Sequence, residues 1–366
     1  MITCAMKPNL KVLHVLSQVM LTGAETYAAI LADTQKAHGY HTCIISQAWH
    51  TKCDTEIHLF PIAKRGVVHR IMNVYVLIKF IKKYKINIVH AHSRAASWVS
   101  YFACKWCQVP LISSVHGRQH IHKGNSTLDI YGNSIITVCE YNSRHLTDIV
   151  KINPQKIKVI PNGFDLSKFN INTKINATKT ISVIGRSTGT KGDITKKMLE
   201  TVMPDILTKY PDVDLQIIGG VPDEYLTENN SKILNKFVSR ILFTGHVPDT
   251  IPYIVHSILV IGSGRVAIET LLSGVSLLAL GEACCHGLVY EYNLKECMAS
   301  NFGDMWYDEQ PPGIDYSFIY KELCAYIEDK SLHTLSQNIK NTVAKSYDIR
   351  HVYANVEKEY LQLISQ

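Results

Sequence analysis

Short apolar runs, each ending in small or polar residues, alternate with helix-like stretches through most of this chain, and the alternation starts twice. In the first half the runs are Val12–Leu16, Thr42–Ser46, Asn87–His90, Leu111–Val115, Ile135–Val138 and Ile157–Ile160. Between them lie helix-like stretches such as Gly23–Ala37, Val68–Lys83 and Arg94–Lys105. The pattern restarts at Thr180–Ile184, Asp214–Ile218, Ile241–Phe243, Leu259–Ile261 and Ser276–Leu280. A strand that is apolar on both faces must be covered on both faces, and strands separated by helices pair in parallel. The chain is therefore read as α/β, with two doubly wound, Rossmann-like domains. Its 366 residues are about twice the usual domain size, which fits.

The polar stretch Asp165–Lys179 has neither helical nor strand periodicity. It divides the chain into a first domain at 1–165, a linker at 166–179 and a second domain at 180–345. Residues 346–366 are expected to form a helix that leaves the second sheet and crosses back to the first domain. Ligands of open α/β sheets bind beyond the carboxyl ends of the strands. Two such domains are expected to face each other across a cleft.

Composition excludes several classes. Hydrophobic content of 46% and charged content of 19% are those of a folded chain, not a disordered one. No apolar run reaches the roughly 18–20 residues that span a bilayer, and Met1–Lys11 lacks a signal-peptide core, so a cytoplasmic location is expected. The ten cysteines follow no disulfide-framework spacing; Cys104 and Cys107 read as two small apolar side chains on one buried helix face, and Cys284-Cys285-His286 as a pocket or core feature. Charge is uneven: residues 1–165 carry 19 Lys+Arg against 8 Asp+Glu, and residues 166–366 carry 19 against 23. The electropositive half is expected to meet something anionic. It lacks the interleaved aromatics of a nucleic-acid module, so nucleic acid is not the expected partner.

Two segments carry chemistry. Gly262-Ser-Gly-Arg-Val-Ala-Ile-Glu269 reads as a glycine turn leading into a short helix with one carboxylate. Backbone N–H groups at such a helix start suit a diphosphate, and the glutamate suits ribose hydroxyls. Upstream, Ile181–Ile184 runs into Gly185-Arg186 and then Lys191-Gly192, aiming two cations at one loop, as a departing diphosphate requires. Asp212-Val-Asp214 reads as the polar lead-in to a buried strand, not as a metal pair.

Taken together these residues resemble the retaining family-four (group 1) glycosyltransferases of the GT-B fold. Leu21-Thr-Gly-Ala-Glu25 is similar to that family's Gly-Gly-Ala-Glu turn, with Thr22 in place of the first glycine. Val115-His116-Gly117 is similar to its Val-His-Gly strand end, and Val159-Ile-Pro-Asn-Gly-Phe-Asp165 to its Ile-Pro-Asn-Gly-Val-Asp signature. Gly185-Arg186 with Lys191-Gly192, and Phe243-Thr-Gly-His-Val-Pro-Asp249, follow in family order.

The resemblance implies roles. Gly23 brings backbone N–H to the diphosphate, and Arg186 and Lys191 hold the pyrophosphate as it departs. The turn at Gly264 and the backbone of Arg265 and Val266 add donors. Glu269 binds ribose, the backbone of Gly245, His246 and Val247 reads the base edge, and His116 lies beside the reacting sugar. No metal or other cofactor is implied; the donor substrate is a nucleoside diphosphate sugar. One departure stands out. Where the family commonly has a second glutamate, eight residues before Glu269, this chain has Ile261. Glu282 or His286 could substitute from the following loop. His90 and His92 are read as cleft lining, and His120 and His122 as residues of a loop shaping the acceptor site.

The implied activity is retaining sugar transfer to an acceptor hydroxyl in cell-envelope polysaccharide, lipopolysaccharide or glycolipid synthesis. The alternatives are a nucleotide-sugar epimerase or phosphorylase on the same plan, or a degenerate nucleotide-binding homologue. Residues 64–85 place Lys64, Arg65, Arg70, Lys79, Lys82, Lys83 and Lys85 around the apolar Ile71–Ile78. That pattern suits a helix lying on an anionic membrane surface, and with it a peripheral location on the cytoplasmic face of the inner membrane and a lipid-linked or saccharide acceptor.

Overall fold

The structure is a computed structural model that describes residues 10–19, 22–62, 64, 66–119, 129–169 and 179–365. It contains two compact units: residues 1–165 with 346–366, and residues 166–345.

In unit 1 seven strands form one parallel sheet: β1 (Lys11–Val15), β2 (His41–Ser46), β3 (Glu56–Leu59), β4 (Ile88–Ala91), β5 (Leu111–Val115), β6 (Ser134–Thr137) and β7 (Ile157–Val159). The spatial order is β3-β2-β1-β4-β5-β6-β7. Connections run outward from β1 in one direction and from β4 in the other, so the topological switch lies between β1 and β4. Helices α1 (Gly23–Ala37), α2 (Val67–Tyr84), α3 (Arg94–Cys107) and α4 (Glu140–Asp148) supply crossovers. Continuous apolarity is explained by burial on both sides. One face packs Leu13, Ile45, Val89 and Leu111 against α2 and α3. The other packs Val12, Ile88, Ile112 and Ile136 against α1 and the final helix, Ile349–Ile364, through Val352, Tyr353, Val356 and Tyr360.

The chain returns to unit 1 at a defined seam. The Phe164 N–H donates to the Tyr347 carbonyl at 2.7 Å, and the Ile349 N–H donates to the Phe164 carbonyl at 2.9 Å. Gly163 is needed there because a Cβ would stand 2.6 Å from Ile349 Cδ1 and 3.0 Å from its Cα. The Pro-Asn-Gly-Phe-Asp segment is thus where the final helix locks on. Asp348 caps that helix, accepting from the Arg350 N–H at 2.9 Å.

Unit 2 has six strands: β8 (Thr180–Ile184), β9 (Asp214–Ile218), β10 (Ile241–Phe243), β11 (Leu259–Gly262), β12 (Ser276–Leu280) and β13 (Cys285–Leu288). Their order is β10-β9-β8-β11-β12-β13, and β13 alone runs antiparallel, paired with β12. The switch lies between β8 and β11. Helices α5 (Gly189–Thr201) and α6 (Gly264–Leu272) follow those two strands.

Three differences from the sequence reading have local causes. Glu56–Leu59 is an edge strand whose exposed face leaves it without an apolar run. Cys285–Leu288 is a strand rather than a loop because β12 turns straight back on itself. The expected linker begins with one turn of 3-10 helix, Leu166–Phe169, belonging to unit 2 with Phe169 buried; residues 170–178 lie outside the described residues. No disulfide occurs among the described residues; Cys104 is buried, Cys107 half-buried, and burial raises both thiols. Asp212 pairs with Lys179, and Asp214, the first residue of β9, faces Arg240.

Candidate active site

At the switch point of unit 1, α1 begins with Thr22 as its cap: Oγ1 accepts from the Glu25 N–H at 3.3 Å. Among the described residues nothing stands within 4 Å of where a Gly23 Cβ would lie. Glu25 itself is fully buried and accepts from the His50 and Thr51 N–H groups at 2.7 and 2.8 Å and from Thr51 Oγ1 at 3.0 Å. It ties the helix start to the loop after β2 rather than to a substrate.

Beneath this turn lie four histidines. Gln35 Nε2 donates to the Tyr360 hydroxyl at 3.2 Å, so its Oε1 accepts from His14 Nε2 at 2.8 Å. That fixes His14 Nδ1 as a lone pair, which accepts from His92 Nε2 at 2.8 Å. His92 Nδ1 is left as an acceptor, and it has no partner. The Tyr360 hydroxyl donates to His90 Nδ1 at 2.6 Å, and His90 Nε2 donates to Ser114 Oγ at 2.7 Å. A helix from the far end of the chain therefore sets the tautomers of histidines on β1 and β4.

Burial keeps these rings neutral. It lowers His14 to about 4 against an ordinary 6.5, with the Gln35 hydrogen bond pulling the other way. His90 and His92 are lowered well below 6.5 by burial and then by the neighbouring histidines. His116 follows β5, and burial lowers it to about 4 despite Asn162 nearby. Neither of its ring nitrogens makes a well-formed hydrogen bond. Its ring stacks on His92 at 5.8 Å and meets the edge of Tyr27, whose hydroxyl also lacks a partner. His92, His116 and Tyr27 thus hold unspent donor and acceptor capacity around one spot. Ligand atoms of His14, His90 and His92 lie within 4.8 Å of one another, a spacing open to a metal ion, but the hydrogen bonds above already use all of them except His92 Nδ1. His120 and His122 lie outside the described residues.

The switch point of unit 2 is ionic. Arg186, just past β8, pairs with Glu282 after β12 at 2.7 Å, both half exposed. Lys191 in the first turn of α5 pairs with Asp304 at 2.9 Å. Ser263 Oγ, at the end of β11, donates to the other oxygen of Asp304 at 2.6 Å. The ends of β8, β11 and β12 thus carry two ion pairs and a serine hydrogen bond beside the N-terminus of α6. Asp304 is delivered by a turn in which Asn301, Phe302 and Gly303 all have positive φ (53°, 58° and 93°). Such backbone costs about 1–3 kcal/mol per non-glycine residue; complete burial of Phe302 helps hold it.

The other expected site residues are placed as follows. Glu269 on α6 is buried; it accepts from Thr250 Oγ1 at 2.6 Å and pairs with Arg265 Nε at 2.7 Å. Gly264 opens α6 with φ 57°, and its N–H donates to the Asn301 carbonyl at 3.1 Å. Val266 is half-buried in the first turn. Gly245 spends its N–H on the Gly220 carbonyl and its carbonyl on the Gly219 N–H, while His246 is exposed and Val247 half-buried. His286 bonds Ser300 Oγ at 2.7 Å within β13 and is lowered by burial; it is not brought to the cation loop, whereas Glu282 is. Ile261 is buried in the core.

Sequence reasoning missed Asp304, Ser263, His14, Gln35 and Tyr360. Only His14 left a signal, a polar residue inside the apolar run of β1.

Comparison with known proteins bears on the family and the fold. The model of Glycosyltransferase Family 4 matches residues 21–168. A UDP-Gal:alpha-D-GlcNAc-diphosphoundecaprenol alpha-1,3-galactosyltransferase of Escherichia coli is 26% identical over 320 residues, covering 79% of this chain and 78% of its own. A glycosyltransferase structure from Rickettsia africae superimposes with a TM-score of 0.77 at 19% identity, covering 98% of this chain and 99% of its own. Anabaena HepE in complex with UDP superimposes with a TM-score of 0.72 at 14% identity, covering 96% of this chain and all of its own. On its motifs and its relatives the chain is similar to the family-four (group 1) glycosyltransferases, and its fold is GT-B.

Proposed function

We propose that this enzyme moves a hexose from a UDP-sugar to a hydroxyl of a lipid-linked saccharide during cell-envelope polysaccharide synthesis, with the anomeric configuration retained. The observation that carries the reading is the pair Arg186 and Lys191 at the unit 2 switch point, beside the start of α6. A departing UDP develops charge on its diphosphate, and fixed cations with oriented helix N–H groups stabilise that charge most when it is fully formed. The reading needs no metal, because the protein supplies both cations. Retention follows from attack on the face the diphosphate leaves, with the leaving phosphate taking the acceptor proton. The UDP of HepE and the UDP-galactose and undecaprenol-linked acceptor of the E. coli relative support the substrate classes.

Unit 1 supports the acceptor side. The neutral His92, His116 and Tyr27 offer hydrogen bonds to uncharged hydroxyls. On α2, Asn73, Leu77 and Ile81 face the core, while Val67, Val68, Ile71, Met72 and Tyr75 are 56–75% exposed. Exposed Lys64, Arg70, Lys79, Lys82, Lys83 and Lys85 surround that stripe; Arg65 lies outside the described residues. Apolar side chains ringed by cations suit an anionic bilayer surface, as on the cytoplasmic face of an inner membrane. No helix among the described residues is long and apolar enough to cross a membrane.

The test is UDP binding by calorimetry followed by transfer assays across UDP-hexoses with lipid extracts. UDP binding together with transfer is expected, the product carrying the donor's anomeric configuration. UDP binding with no transfer from any donor would leave a nucleotide-binding homologue, and interconversion of free UDP-sugars would leave an epimerase.

A further inference from the structure

Lys191 does not reach its position unaided. Its ammonium is held at 2.9 Å by Asp304 Oδ2, while Asp304 Oδ1 accepts from Ser263 Oγ at 2.6 Å and more distantly from the Glu282 N–H at 3.4 Å. Both charged side chains are mostly buried, at 23% and 17% exposure, so the pair is not a solvated surface bridge. The turn behind Asp304 is fastened on two sides. The Asn301 carbonyl accepts from the Gly264 N–H at the start of α6, and the Gly303 carbonyl accepts from the Ala283 and Cys284 N–H groups between β12 and β13. Residue 264 has to be glycine for the carboxylate to sit there: its φ is +57°, and a Cβ would lie 2.6 Å from Asp304 Oδ2. A left-handed turn, a side-chain-free helix start and a serine hydroxyl all converge on one oxygen pair. Backbone strain of this kind, held by its surroundings, marks functional positions.

We propose that Asp304 is the positioning residue for Lys191. It holds the ammonium at the carboxyl edge of the unit 2 sheet, where that cation meets the leaving diphosphate. The proposal rests on the reading of Lys191 given above. Asp304 acts through the lysine, and its own negative charge opposes binding of the free nucleotide. Its removal therefore leaves an anion-binding loop whose cation is misplaced: UDP binds at least as well, and turnover suffers. A salt bridge that served only the fold would show the opposite signature, a loss of stability with binding and turnover falling together.

The experiment compares Asp304→Asn, Lys191→Ala and the double variant in the full chain. It measures thermal midpoint, UDP affinity by calorimetry, and kcat and KM with the UDP-hexose the wild type uses. Asp304→Asn is expected to lower kcat about 10- to 100-fold, the cost of misplacing a catalytic group by about 1 Å, with UDP affinity unchanged or tighter. Lys191→Ala is expected to weaken both, and the double variant to match Lys191→Ala because the two residues act as one unit. A kcat within twofold of wild type in Asp304→Asn, beside a damaging Lys191→Ala, overturns this proposal alone. So do multiplicative losses in the double variant. A neutral Lys191→Ala overturns the underlying reading as well. Should Asp304→Asn fail to fold, Ser263→Ala carries the same test: kcat falls several-fold with UDP affinity kept, or the proposal is wrong.

Discussion

The two switch points share a topology and differ in chemistry. In unit 1 the strand ends carry neutral, deeply buried histidines chained through Gln35 and Tyr360. In unit 2 they carry full charges, partly exposed, each already opposed by a charge of the other sign. Neutral hydrogen-bonding groups recognise hydroxyls without attracting anions. A cation held by a fixed carboxylate stays in place and is never left bare and buried before an anion arrives. On the function proposed above, the same sheet architecture prepares one site for an uncharged partner and the other for a diphosphate.

The sharpest way to break this contrast is to remove a unit 2 cation. Arg186→Ala is expected to cost about 2.7–4 kcal/mol, roughly 10²–10³ in kcat/KM, as loss of a preorganised oxyanion donor does. UDP affinity should fall too, and fall further with salt. His116→Ala should lower turnover while leaving UDP affinity alone. If His116→Ala weakens UDP as much as Arg186→Ala does, the division of labour is wrong.

A second expectation concerns pH and unit 1. His14 is held at about 4 when folded against 6.5 when unfolded. Below 6.5 the unfolded chain takes up a proton that the folded ring refuses, so stability is full above pH 6.5 and is lost as pH falls toward 4. A depression of that size corresponds to about 3 kcal/mol. His90 and His92, lowered in the same direction, add to it. The thermal midpoint should therefore drop steeply between pH 6.5 and 4.5, and a flat midpoint over that range would show that the histidines are not neutral in the folded state.

How much of this was legible beforehand follows from which forces are local. The β5 strand occupies the residues its apolar run marks, because burial on both faces leaves a continuous pattern. The pairing of Lys191 with Asp304 was not legible, since 113 residues separate them and nothing local requires it. Arg186, Lys191 and Glu269 could be singled out as charged residues just past a strand or on the helix that follows one, but not that Glu282, Asp304 and Thr250 engage them. Ile261 drew attention as an absence; the structure places Asp304, from a different turn, beside the neighbouring Ser263.

Tyr360→Phe tests the remote control of the histidines with a smaller effect. The ring stays, but His90 Nδ1 and Gln35 Nε2 each lose a buried partner, for about 1–3 kcal/mol. The spectroscopic signature is a changed tautomer of His14 or His92 in nitrogen NMR. An unchanged tautomer and midpoint would mean that the final helix contributes packing alone.

The smallest expected effect probes the outer face of unit 1 rather than its strand ends. Lys79 is exposed on α2, with its ammonium 4.5 Å from the Tyr75 ring centroid. If the helix lies on an anionic bilayer, Lys79→Gln removes about 1 kcal/mol, roughly a fivefold loss in partitioning. Co-sedimentation with phosphatidylglycerol-containing vesicles measures it. The variant should bind neutral vesicles as the wild type does, because the apolar stripe from Val67 to Tyr75 is untouched. Val68→Asp should weaken binding to both kinds of vesicle, since it removes apolar contact area and adds repulsion. An enzyme with no preference for anionic vesicles would confine the charge contrast to the strand ends and leave the basic face of α2 as a solvated surface.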